Sequence, residues 1–113
     1  DEIKRTILTM AGMVEKGLVD VSKALAMGDA ELAESVIAMD DELDRRMELI
    51  FRVLLSHMIE DTRTISSALR LTFVAKYFER IGDMATNICE QVVFMAEARV
   101  IKHGGGSPKT EEP

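Results

Sequence analysis

Three long stretches in which apolar residues recur every three or four positions, with only two short breaks between them, constrain this chain more than any other feature. Ile3, Ile7, Met10, Val14, Leu18, Val21 and Leu25 form the first stripe, and Leu32, Val36, Met39, Leu43, Met47, Ile50 and Leu54 the second. Phe78, Ile81, Ala85, Ile88 and Val92 form the third. That spacing follows the 3.6-residue period of an α-helix with one face buried against partners.

The breaks have turn chemistry. Gly28 suits the left-handed position after a helix end, and Asp29 is a good N-cap with Glu31 adding negative charge in the following first turn. Glu60 to Arg63 is a polar interruption, and Thr64 is the expected cap of the third helix. Helices are therefore expected over about 2–27, 30–59 and 65–102, the third about 60 Å long at 1.5 Å per residue. Gly104-Gly105-Gly106-Ser107-Pro108 then ends the third helix, and 104–113 has the composition of a flexible tail. Short links force an up-down-up course, so 1–103 is predicted to be an all-α, antiparallel three-helix bundle, spectrin-like in its path.

Composition narrows the function. With 47% hydrophobic residues, few aromatics, no Trp and eight Met, the 113-residue chain can bury one aliphatic core. A net charge of −6 supplies no basic stripe for nucleic acid and fits cations or basic partners better. Cys89 is the single cysteine, so no intrachain disulfide forms and a reducing compartment is expected. No apolar run approaches the roughly 20 residues needed to span a bilayer, and the first residues are not a signal peptide. The absence of an initiator Met suggests a fragment.

The third helix carries oxygen donors. Glu79, Asp83, Asn87 and Glu90 stack on successive turns, on the wheel away from the apolar stripe, and Asp40 and Asp44 lie on the shoulder of the second helix. Counting outward from a turn near Thr62 sets Asp40 about level with Asp83 and Asp44 about level with Arg80. The two acidic pairs thus meet at one height, as a surface site. All-oxygen donors favour Mg, Ca, Mn or ferric iron. The alternative is a solvated face, in which Lys76, Arg80 and Arg46 pair locally with these acids. Gly82, mid-helix, costs roughly 1 kcal/mol against Ala, which implies close approach of something to the backbone at that turn.

Glu79-Arg80-Ile81-Gly82-Asp83, continuing through Ala85, Asn87, Ile88 and Glu90, resembles the signature helix of the PhoU family, bacterial regulators of phosphate uptake and phosphate signalling. That family is built from two similar three-helix repeats with acidic ExxxD or DxxxD motifs. This chain resembles the second repeat. The resemblance implies metal ligation by Asp40, Asp44, Glu79 and Asp83, and more weakly by Asn87, with Mg, Mn, Fe or Zn as candidate ions. It implies a non-enzymatic, cytoplasmic regulator, peripheral to the inner membrane, that relays the state of a phosphate transporter to a phosphate-sensing histidine kinase.

Other readings remain open. Ser56 to Thr64 is loosely similar to the phospho-acceptor segment of sensor-kinase dimerisation helices, with His57 as acceptor. Met58, however, stands where the acid belongs, two residues intervene before Thr62-Arg63-Thr64, and no Pro follows. A phosphotransfer module is thus one alternative and a metal-free helical scaffold another. His103 is expected at a helix C-terminus, favourable to its dipole. Cys89, at the edge of the third apolar arc, reads as a small buried residue. No phosphate loop, triad or cofactor fingerprint is present, so catalysis has no candidate. Ile65, Leu69 and Phe94 fall outside the third stripe, which implies a missing partner surface and self-association, a homodimer being the simplest form.

Overall fold

The computed structural model describes residues 2–103. Three helices, α1 (Glu2–Met27), α2 (Ala30–Glu60) and α3 (Ile65–His103), run up, down and up as a bundle. The rod measures 67 × 20 × 15 Å. The expected tail, 104–113, and the side chain of His103 lie outside the described residues.

The first turn is built as its residues imply. Gly28 takes φ 64°, and the Asp29 amide reaches back to the Ala24 carbonyl at 3.0 Å, closing α1 in a Schellman-type end. The Asp29 carboxylate accepts a 3.0 Å bond from the Leu32 amide and so starts α2. The Arg99 guanidinium donates to the Gly28 carbonyl at 3.3 Å, fastening this turn to the last turns of α3.

The second turn departs from expectation. Asp61 ends α2 and caps the 3₁₀ turn that leads into α3. Its backbone N–H donates to the His57 carbonyl, its side chain accepts from the Arg63 amide, and a single 3₁₀ turn follows over Thr62–Thr64. Thr64 Oγ1 donates backward instead, to the carbonyls of Asp61 (2.7 Å) and His57 (3.2 Å). A hydroxyl beside the orphan carbonyls of an ending helix satisfies them first.

The core has two parts. Towards the α2–α3 turn, Ile7, Met10 and Val14 pack with Leu43, Met47, Ile50 and Leu54 over Ala68 and Ala75. Towards the α1–α2 turn, Val21 and Ala24 meet Ala33, Val36, Ala85, Cys89 and Val92. Met39 packs against both. The stripes drift from those expected: Leu18, Leu25 and Ile88 are largely exposed, while Gly17 and Ala24 of α1 are buried. Where helices approach most closely only small side chains fit, so Gly and Ala replace Leu at the contact line. Cys89 lies fully inside rather than at the arc's edge.

Candidate functional site

The site follows from the contact between α2 and α3 at Gly82. A Cβ built on Gly82 would collide with Leu43 Cδ1, so the missing side chain is what lets Leu43 seat against the α3 backbone. Leu43 is fully buried and is flanked in sequence by Asp40 and Asp44; Gly82 is flanked by Glu79 and Asp83. Seating Leu43 on Gly82 therefore brings the acids of both helices to one level.

They meet as two pairs. The carboxyl of Asp40 comes within hydrogen-bonding reach of Asp83, and that of Glu79 within reach of Asp44. Ionised carboxylates only accept, so two of them face to face have no donor between them. Accordingly Asp40 Oδ1 is buried with no hydrogen-bond partner. Burial, then the contact with Asp83, then the charges of Asp44, Asp83 and Asp41 push the Asp40 carboxyl from 3.8 up to about 6. Glu79 is raised too, by burial first and by Asp44, with Lys76 opposing.

Glu79 is thus half-buried against α2 and not opposite the apolar stripe, because its helix rolls towards α2 to close over Leu43. Asp83 and Asn87 remain exposed one and two turns further along, and no hydrogen bond joins Asn87 to the acids. The local pairings of a solvated face are only partly made. Lys76 Nζ lies 3.7 Å from Glu79, but Arg46 is taken by Glu42 at 2.9 Å, and Arg80 sits over the Tyr77 ring, 5.7 Å from its centroid. Beside the Asp44–Glu79 pair, Phe51, Thr72 and Lys76 help line a groove of about 350 Å³.

Among the described residues, no three His, Cys, Asp or Glu side chains already stand in a metal-binding group. The donor set nevertheless suits a hard cation: four carboxylates, one with an orphaned buried oxygen, and no soft ligand. A cation would relieve the acceptor-against-acceptor contacts between these carboxylates.

His57 is exposed in the last turn of α2, far along the rod from these acids, and its carbonyl serves the turn. Two buried polar residues, Asp20 and Thr86, escaped the sequence reading. Lys16 holds the Asp20 carboxylate at 2.8 Å. Burial and then the nearby Asp20 charge raise the Cys89 thiol, which disfavours the thiolate. Asp20 is signalled only by lying three residues after buried Gly17, on the inward face; Thr86 has no sequence signal beyond adjoining Ala85.

Comparison with known proteins places this arrangement in context. The PhoU domain family model matches residues 7–92, which include both acidic pairs. Over 92 residues the chain is 44% identical to the phosphate-specific transport system accessory protein PhoU homolog of Caulobacter vibrioides, a match covering 81% of this chain and 40% of that protein. Over 89 residues it is 39% identical to the accessory protein PhoU of Escherichia coli K12, covering 79% and 37%. Over 103 residues it is 35% identical to the homolog of Pseudomonas aeruginosa, covering 91% and 43%. The chain spans about two fifths of the length of these relatives.

Proposed function

The chain belongs to the PhoU family, and from that premise we propose that it is a non-enzymatic regulator of phosphate uptake and phosphate-responsive signalling, a metal-binding helical adaptor between a phosphate transporter and a sensor histidine kinase. The relatives' description as accessory proteins of phosphate-specific transport supports the transporter half of that role. No helix among the described residues is long and apolar enough to cross a membrane, which fits a peripheral adaptor working from the cytoplasm.

The observation that carries the metal part is the facing of Asp40 with Asp83 and of Asp44 with Glu79, acceptor against acceptor. These four residues would hold the ion, with Asn87 one turn beyond Asp83 as an outer oxygen donor. A hard cation there supplies positive charge that four crowded carboxylates need. The chain's own part is positional: Leu43 on Gly82 sets the two helices at the spacing that presents both pairs. Metal occupancy then stiffens the α2–α3 contact and fixes the acidic surface that a partner reads.

The test is elemental analysis with thermal melts in Mg, Mn, Zn and ferric iron, for the parent chain, Asp83→Asn and Glu79→Gln. Both variants keep shape and remove one ligand charge. They are expected to bind less metal and to lose most of the metal-induced rise in Tm, while the metal-free fold remains intact. Binding to the cytoplasmic part of a phosphate-sensing kinase should lose its metal-dependent share in parallel. Equal metal content and equal shifts in all three proteins would reduce the pairs to a solvated face.

A further inference from the structure

Thr86 is buried, only 9% exposed, and its Oγ1 has no hydrogen-bond partner. A threonine inside a helix ordinarily turns its hydroxyl back to the carbonyl four residues before it. Thr9 and Thr72 do so, donating to the Arg5 and Ala68 carbonyls at 3.0 and 2.9 Å. Thr86 makes no such bond to the Gly82 carbonyl. A buried hydroxyl without a partner destabilises the fold that holds it, so its position calls for a reason.

That position is beside the acids. Thr86 follows Gly82 by four residues and Glu79 by seven, so it stays on the flank of α3 that meets α2. The facing pairs set the register, with Asp83 level with Asp40 and Glu79 level with Asp44. Counting on by three residues puts Thr86 level with Ile37, less than a turn from Asp40, or about 4.5 Å along the rod at 1.5 Å per residue. Side chains on a helix lean towards its N-terminus, and α2 and α3 are antiparallel. Asp40 therefore leans towards the level of Thr86, and Thr86 towards the level of Asp40. One is an acceptor without a donor at Oδ1, the other a donor without an acceptor, and both atoms are buried at the same contact.

We propose that Thr86 is a positioning residue of the acidic site, its hydroxyl donating to the inner carboxylate oxygen of Asp40 while the outer oxygens of Asp40 and Asp83 face a bound cation. This rests on the reading of the four acids as a hard-cation site. A carboxylate that binds a cation through one oxygen holds a single geometry best when its other oxygen is hydrogen-bonded, and an ionised Asp40 has no donor of its own. Threonine in a helix has two χ1 rotamers open to it, so the hydroxyl comes round to Asp40 without movement of either helix. The unmade bond to Gly82 leaves that hydroxyl free for the purpose.

Thr86→Val keeps the shape and removes the hydroxyl, whereas Thr86→Ser keeps the hydroxyl and removes the methyl. The experiment is calorimetric titration with Mn²⁺, and thermal melts in chelator, for the 113-residue parent, Thr86→Val, Thr86→Ser and Asp83→Asn. Mn²⁺ affinity is expected to fall about tenfold or more in Thr86→Val and to stay within about threefold of the parent in Thr86→Ser. In chelator, Thr86→Val is expected to melt about 4 °C or more above the parent, because an unpartnered buried hydroxyl has been removed. A hydroxyl that only supports the fold gives the reverse, a lower metal-free Tm in Thr86→Val, and that result overturns the proposal. So does equal weakening in Thr86→Val and Thr86→Ser, which would make the residue a matter of packing. Parent-like affinity in Thr86→Val with weak binding in Asp83→Asn overturns it while the four-acid reading stands. Equal binding by the parent and Asp83→Asn, or none by either, removes that reading and this proposal with it.

Discussion

At the residue scale, Asp40 is the group under most electrostatic stress. Its carboxyl is raised from 3.8 to about 6, and Glu79 is raised in the same sense. A carboxyl with a raised folded-state pKa binds its proton more tightly in the fold than in the unfolded chain. Its contribution to stability is therefore fully present below pH 3.8 and is lost as pH rises through about 6. Asp61 and Glu42, held low mainly by Arg63 and Arg45, act oppositely and lose their contribution as acid protonates them. The metal-free chain should thus be most stable near pH 5, with Tm falling towards pH 7.5. The full Asp40 shift corresponds to about 3 kcal/mol, and solvent screening at this shallow site reduces it to about 1–2 kcal/mol. Asp40→Asn should raise the metal-free Tm at pH 7.5 and flatten its pH dependence, while lowering metal content. A parent chain whose metal-free Tm climbs steadily from pH 5 to 7.5 would contradict this account.

At the element scale, what was legible depended on which force dominates each feature. Helix bounds were readable because Gly28 and Asp29 act through their own backbone and side chain, over distances the local sequence contains. The register of Asp40 with Asp83 was readable because antiparallel helices joined by a short link are counted from the turn. The contact line was not, since hydropathy points to Leu18 and Leu25 whereas close helix approach selects Gly17 and Ala24. Nor was the roll of α3 that half-buries Glu79, which depends on Leu43 fitting Gly82 in three dimensions. The role of Thr64 is not legible either, because a hydroxyl can serve either the starting or the ending helix, and only geometry shows that it bonds the His57 and Asp61 carbonyls. The Asp29 cap gives a direct check. Asp29→Ala removes the Leu32 amide's partner and should cost about 1 kcal/mol in urea unfolding. Asp29→Ser, which restores an acceptor, should recover most of that loss, whereas an equal loss in both would mean that the carboxylate acts elsewhere.

At the scale of the whole molecule, the rod is two cores joined at a waist. One end is filled by large side chains such as Met10, Leu43 and Ile50; the other relies on Ala24, Ala33, Ala85 and Cys89 with three valines. Apolar burial contributes about 25 cal/mol per Å², so the alanine-rich end has less to hold it. Met39 spans the waist: its methyl would lie 3.0 Å from a Cβ on Gly17 and 4.0 Å from one on Gly82. Both glycines leave room for this one flexible side chain, which belongs to both cores. Met39 also directly precedes Asp40, so the mechanical joint and the acidic site share a turn of α2. Truncating it should weaken the link more than either core. Met39→Ala is expected to cost about 2 kcal/mol, the low end for a methionine because the side chain is only partly buried. Hydrogen exchange should then show the amides around Val21, Val36 and Val92 losing protection before those around Met10, Leu43 and Ile50, where the parent opens as one unit. Equal loss of protection at both ends would mean that the two cores are coupled through the helix backbones and that Met39 only fills space.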